Sequence, residues 1–158
     1  MNSIKLLSTL LILGLLITSA CSGSEEEKDA QGTAATEVTA DPGDWTTNKG
    51  IGPVSTISFA AEIDQPLADK GQSIFTAKCS ACHKPNKRYI GPEMAGIFDR
   101  RTPEWTANMI MNPMEMVQKD PIAKELLMEY NGTPMANQNL TQEETRAVLE
   151  YFRTLKSE

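Results

Sequence analysis

The chain has 158 residues and a formal net charge of −6, with three cysteines and one histidine. That is room for one modest domain once a targeting segment and a linker are set aside. So few ligands exclude most structural zinc modules, which need four converging Cys, His or carboxylate groups, and the acidic balance gives no reason to expect a nucleic-acid partner.

Residues 1–20 read as an export signal. Lys5 supplies a positive start, Leu6 to Ile17 an apolar run too short to span a bilayer comfortably, and Ser19-Ala20 small residues ahead of Cys21. Ile17-Thr18-Ser19-Ala20-Cys21 resembles the lipobox of bacterial lipoproteins, with Thr18 standing where that family has a branched apolar residue. The resemblance implies lipidation at Cys21 and a membrane anchor at the outer face of a bacterial membrane. The competing reading is an ordinary secretory signal cut near Ala20, which leaves an unpaired thiol in an oxidising compartment.

Residues 21–44 are polar, small and acidic, and read as a disordered tether. Residues 21–63 hold two lysines against eight acids, whereas residues 64–158 hold 12 Lys and Arg against 13 Asp and Glu. The low charge therefore belongs to the tether and says little about the folded domain's partners. A flexible tether of ~30 residues reaches roughly 30 Å. Residues 45–63 contain Trp45, Ile57 and Phe59, too apolar for a pure linker. They are expected to form an extension packed on the domain, with a short strand over Val54 to Phe59.

The domain itself, residues 64–158, is expected to be all-α with about four helices. One starts near Asp64 with Pro66 in its first turn and runs toward Ala77; a second covers Glu104 to about Met111; a third runs from Pro121, capped by Asp120, to Tyr130. The last begins at the capping box of Thr141 and Glu144 and carries the stripe Val148, Tyr151, Phe152 and Leu155.

Cys79-Ser80-Ala81-Cys82-His83 is the stretch that names a chemistry. Two thiols three residues apart, followed at once by an imidazole, suit covalent attachment of haem c, with His83 as an axial ligand. With no second histidine in the chain, bis-histidine ligation within a monomer is excluded. Methionine, lysine, the N-terminal amine or an open position remain.

Residues 64–158 resemble a class I c-type cytochrome domain. The match runs through Gly71-Gln72-Ser73-Ile74-Phe75, the Cys79–His83 motif, Gly91-Pro92, Gly96-Ile97-Phe98-Asp99-Arg100 and Thr133-Pro134-Met135, then an aromatic-bearing last helix. The resemblance implies one covalent haem and an N-terminal helix that crosses the last helix at Gly71 against Tyr151. It gives Met135, in the turn-rich loop after Asn131-Gly132, as the second axial ligand, with Met128 and Met94 as competitors. It assigns the carbonyl that orients His83 to Pro92, and contact with a haem propionate to Arg100. Trp105 could donate its indole N–H to the other propionate. Lys84, Lys87 and Arg88 could form a basic rim for an acidic docking face.

These features describe a membrane-tethered, monomeric electron carrier between redox protein partners, not an enzyme. The rivals are a peroxidase-like or gas-sensing protein with an open iron position, and a lipoprotein whose Cys79 and Cys82 form a disulfide. The run from Arg101-Thr102-Pro103-Glu104-Trp105 to Pro134-Met135-Ala136-Asn137-Gln138 is also similar to small cytochromes that accompany nitrous oxide reductase, with a terminal oxidase equally compatible.

Overall fold

The computed structural model describes residues 44–156. The export signal, Cys21 and the tether up to residue 43 lie outside the described residues. Among those described, the elements are five α-helices and one 3-10 turn, and no helix is long and apolar enough to cross a membrane.

Four of the five helices begin where a side chain accepts one of their first N–H groups; the third in chain order has no such cap. The Asp64 side chain accepts from the Leu67 N–H at the start of α1 (Gln65–Lys78), with Pro66 in the first turn. The helices α2 (Pro103–Met111), α3 (Pro113–Lys119) and α4 (Pro121–Glu129) each open on a proline, whose missing N–H costs nothing there. Thr102 and Asp120 cap α2 and α4 through side-chain oxygens. Thr141 and Glu144 form the expected capping box of α5 (Gln142–Thr154). The 3-10 turn spans Ile97–Asp99.

The helix that the periodicity did not isolate is α3. Proline disfavours helical backbone in the residue before it. Asn112 and Asp120 accordingly leave the helical region, at φ −138°, ψ 48° and φ −82°, ψ 126°. Two X-Pro steps thus cut one apolar stretch into three short helices.

The frame is the crossing of α1 and α5. Gly71 is the contact point: a Cβ built there would stand 1.9 Å from the Ala147 carbonyl oxygen and 2.9 Å from the Val148 nitrogen. The atoms nearest to it belong to the α5 backbone at Ala147 and Val148. Tyr151 packs one turn away, with its ring 5.5 Å from that of Phe75, while Phe152 meets Phe75 edge-on at 5.8 Å. Beyond the crossing the core forms two clusters. One joins Phe75, Met94, Ile97, Ile110, Val148 and Phe152; the other joins Trp105, Met116, Ile122 and Ala123.

Residues 44–63 run across α2 and α5 without a strand among them. Polar side chains take the place of a ladder. Asn108, buried in α2, accepts from the Val54 N–H and donates to the Lys49 and Val54 carbonyls. Glu104 accepts from the Ile57 N–H, and Arg153 donates to the Ala60 and Glu62 carbonyls. Val54, Ile57 and Phe59 are half-buried; the expected short strand is absent among the described residues, and the backbone bonds to side chains instead.

Glu150 anchors the end of this segment. It is fully buried, accepts from the Asp64 N–H, and is bracketed by Arg146 and Arg153. Burial opposes its ionisation, but the Arg146 and Asp64 hydrogen bonds and both arginine charges outweigh it, so its pKa lies below the ordinary value. Stability from this group is complete above the unfolded-state pKa of ~4.3 and is lost as pH falls through the lower folded value. Glu150→Gln is expected to cost about 3 kcal/mol at neutral pH and to flatten the acid limb of melting temperature against pH. Gly71→Ala should lower denaturant stability by about 2 kcal/mol, because the clash outweighs the ~1 kcal/mol of helix propensity it gains.

Candidate functional site

The end of α1 delivers the Cys-x-x-Cys-His stretch into a turn. The Cys82 and His83 N–H groups both return to the Cys79 carbonyl, at 3.0 and 2.9 Å. Cys79 and Cys82 are unbridged and line one apolar cavity of about 220 Å³ together with His83. That cavity separates the two core clusters. Phe75, Ile97, Val148 and Phe152 line it from one, and Trp105 and Ala123 from the other.

Two features fix the His83 ring. Its Nδ1 lies 2.9 Å from the Pro92 carbonyl oxygen, and since a carbonyl only accepts, Nδ1 carries the proton. Nε2 therefore holds the lone pair, as a metal ligand requires. Gly91 closes against the ring, where a Cβ would stand 2.5 Å from Cε1. The Gly91 N–H in turn donates to the Cys82 carbonyl at 2.9 Å. The assignment of Pro92 thus agrees with the geometry. Gly91, which the sequence offered only as part of a motif, has a packing role that no spacing rule reveals.

Met135 also lines the cavity. Its loop starts where α4 ends: Asn131 and Gly132 take left-handed backbone at φ 58° and 71°. The Gly132 N–H then closes on the Leu127 carbonyl at 2.7 Å. Asparagine and glycine tolerate that region, so this pair turns the chain back without a strained residue. Lys78 donates to the Gln138 carbonyl at 3.2 Å and Asn137 to the Met111 carbonyl at 3.3 Å, tying the loop to α1 and α2. Of the competitors, Met128 is 76% exposed and does not line the cavity. Met94 lines it but is tied to the chain just after His83 through the Lys84 and Pro85 carbonyls.

Other expected site residues are placed differently. Trp105 is buried on the cavity wall, but its indole N–H donates to Asp120 at 3.0 Å. The expectation that it serves a propionate is corrected on that ground: a single donor is already spent. Arg100 also lines the wall, yet its guanidinium clamps the Glu93, Ala95 and Gly96 carbonyls at 2.6 to 3.0 Å and pairs with Glu93. Its fork organises the loop that carries Pro92. The basic rim is partly neutralised, since Arg88 pairs with Glu129 and stacks on Tyr130.

The donor set and the lining fit a haem c. Burial pushes the Cys79 thiol up, with Lys78 opposing; a neutral thioether in its place keeps an ionisable group out of an apolar wall. Among the described residues no three His, Cys, Asp or Glu side chains converge as direct ligands of an ion, whereas one imidazole and one thioether line a mostly apolar cavity.

The family model for cytochrome c matches residues 68–156, and the chain belongs to that family. It is similar to a cytochrome c from Rhodothermus marinus, with 40% identity, a TM-score of 0.64, and coverage of 66% of this chain and 89% of that one. An engineered form of the Rhodothermus marinus protein gives 37% identity and a TM-score of 0.65 over 73% of this chain and 97% of that one. A cytochrome c-553-like protein of Synechocystis sp. is 29% identical over 89 residues, 50% of this chain and 85% of its own. The protein is a monohaem c-type cytochrome of the electron-transfer kind, its fold all-helical and its cofactor one covalent haem c.

Gly91→Ala tests the cradle. Holoprotein yield by pyridine haemochrome is expected to fall several-fold, with the surviving protein melting lower, because the new methyl displaces the His83 ring.

Proposed function

We propose that the chain is an exported, lipid-anchored carrier that passes single electrons between redox proteins at the outer face of a bacterial membrane, and that it is not an enzyme. The observation that carries the reading is that His83 and Met135 line the same apolar cavity as both thiols. Bound there, the haem supplies reversible one-electron chemistry at iron. The chain's part is to present an imidazole whose tautomer is set by Pro92 and a thioether held by a tethered loop. It also lines the site with apolar side chains and leaves Cys82 exposed at the rim. Two protein ligands leave no position for a substrate, which suits a carrier. A thioether favours the reduced metal and so raises the potential relative to a second histidine.

The acceptor proposed is a copper reductase of the nitrous oxide type or a terminal oxidase, and the donor a quinol-oxidising complex. Lys84 and Lys87 flank the haem-attachment turn and support an acidic docking face on the partner, felt mainly through on-rate. Cys21 is the proposed lipid attachment point and the protein acts as a monomer.

Oxidised protein is expected to show the weak far-red band of methionine-ligated iron. Met135→Ala should abolish that band and lower the midpoint potential by on the order of 0.1–0.3 V, a share of the ~0.8 V that axial ligands span. An oxidised native protein without the band, which binds added imidazole as readily as the variant, identifies the open-iron sensor or peroxidase-like alternative. Stopped-flow reoxidation of the reduced protein by purified nitrous oxide reductase and by a terminal oxidase assigns the acceptor. Cys21→Ser should move the protein from the membrane to the soluble fraction.

A further inference from the structure

Arg101 holds a donor that nothing among the described residues accepts. Its Nε is buried without a hydrogen-bond partner. Nη1 donates to the Arg100 carbonyl, and the guanidinium lies over the Trp105 ring, 5.2 Å from its centroid. The same side chain lines the cavity that holds His83 and Met135. An unpaired buried N–H on a charged group costs more than the ~1–3 kcal/mol of a neutral one, and arginine does not escape by losing its proton.

The charged groups facing it do not meet that demand. Arg100 stands next to it and repels it, while Asp120, Glu125 and Glu129 attract it only from a distance; burial, followed by Arg100, depresses its pKa. Asp120 is committed to the Trp105 indole, the Ala123 N–H and Asn48. Glu129 pairs with Arg88.

The other cations on the cavity wall are engaged elsewhere. Arg100 clamps three carbonyls and pairs with Glu93, and Lys78 reaches the Gln138 carbonyl. We infer that Arg101, and not Arg100 or Trp105, is the residue that binds a haem propionate in this cytochrome. The inference rests on the haem occupying this cavity. A propionate supplies the anion and acceptor that Nε lacks, in the charge-assisted geometry that arginine favours. Trp105 acts as the platform beneath the guanidinium, held at its far edge by Asp120. Asp120 is held in turn by Asn48, whose carbonyl also accepts from Thr102. The segment ahead of the first helix thus supports the propionate site through three residues.

The test uses full-length holoprotein in native, Arg101→Gln and Arg100→Gln forms, each checked for covalent haem by intact mass and haemochrome. A preparation without covalent haem defeats the functional reading itself; one with it isolates the propionate question. A cation at contact distance lowers a carboxylate pKa by ~1–3 units, so the native midpoint potential is expected to be flat between about pH 5 and 8. Arg101→Gln raises the propionate pKa into that window. Because the ionised propionate favours oxidised iron, the midpoint then falls as pH rises. Arg100→Gln melts lower but keeps the flat profile. In native protein the Arg101 Nε–H should exchange slowly with water and show a nuclear Overhauser contact to propionate methylenes. This readout decides the matter even if Arg101→Gln does not accumulate. A flat profile in Arg101→Gln, a slope in Arg100→Gln alone, or a fast-exchanging Arg101 Nε–H without that contact overturns the assignment.

Discussion

The crossing of α1 and α5 at Gly71 is the constraint on which the rest depends. With a Cβ position only 1.9 Å from the Ala147 carbonyl, no side chain fits between the helices, and their backbones touch. That contact fixes the direction in which α1 ends, and the Cys79–His83 turn follows at once. It also fixes the face of α5 that presents Val148 and Phe152 to the cavity. A single glycine, unfavourable in a helix by ~1 kcal/mol, thereby sets where the thiols open.

Around this frame, polar groups do work that a sheet or a larger core does elsewhere. Asn108, Asp120 and Glu104 are buried, and each joins the irregular segment 44–63 to a helix, while buried Glu150 takes the N–H of Asp64 just beyond it. An irregular segment must find partners for its N–H and C=O groups, and here helix side chains supply them. The cation–π contacts of Arg146 and Arg153 with Phe59, at 4.6 and 4.8 Å, close the same seam. These groups also hold the cavity wall, because Asp120 orients the ring of Trp105.

Much of this was legible in the sequence, and unevenly so. Caps and prolines set the helix starts to within a residue or two, because the chemistry of a helix end is local. The ligand spacing Cys79-x-x-Cys82-His83 named the cofactor for the same reason. Between the helices expected at Glu104 to Met111 and Pro121 to Tyr130, the short α3 has no sequence signal of its own, because it is bounded by X-Pro steps and opens without a side-chain cap. Val54 to Phe59 has the β-branched and aromatic residues of a strand but no neighbour to pair with. Arg100 stands where the family pattern suggests a propionate contact and Trp105 carries a suitable donor, yet their donors turn to Glu93, Ala95, Gly96 and Asp120, acceptors that no local pattern announces.

By itself the sequence determined which groups are available: one imidazole, two spaced thiols, a methionine after a turn-forming Asn131-Gly132 loop, and helix ends that cap themselves. Those are properties of neighbours along the chain. Only the tertiary structure decided how the groups are spent. Gly91 seats the His83 ring, Lys78 ties down the Met135 loop, and Arg100 turns to carbonyls while the Nε of adjacent Arg101 stays without a partner. A hydrogen-bond donor is committed by whatever acceptor lies within about 3 Å, and that acceptor comes from chain distant in sequence. The thiols and imidazole that began as a local pattern became a site when the α1–α5 crossing brought Met135 and the cavity wall around them.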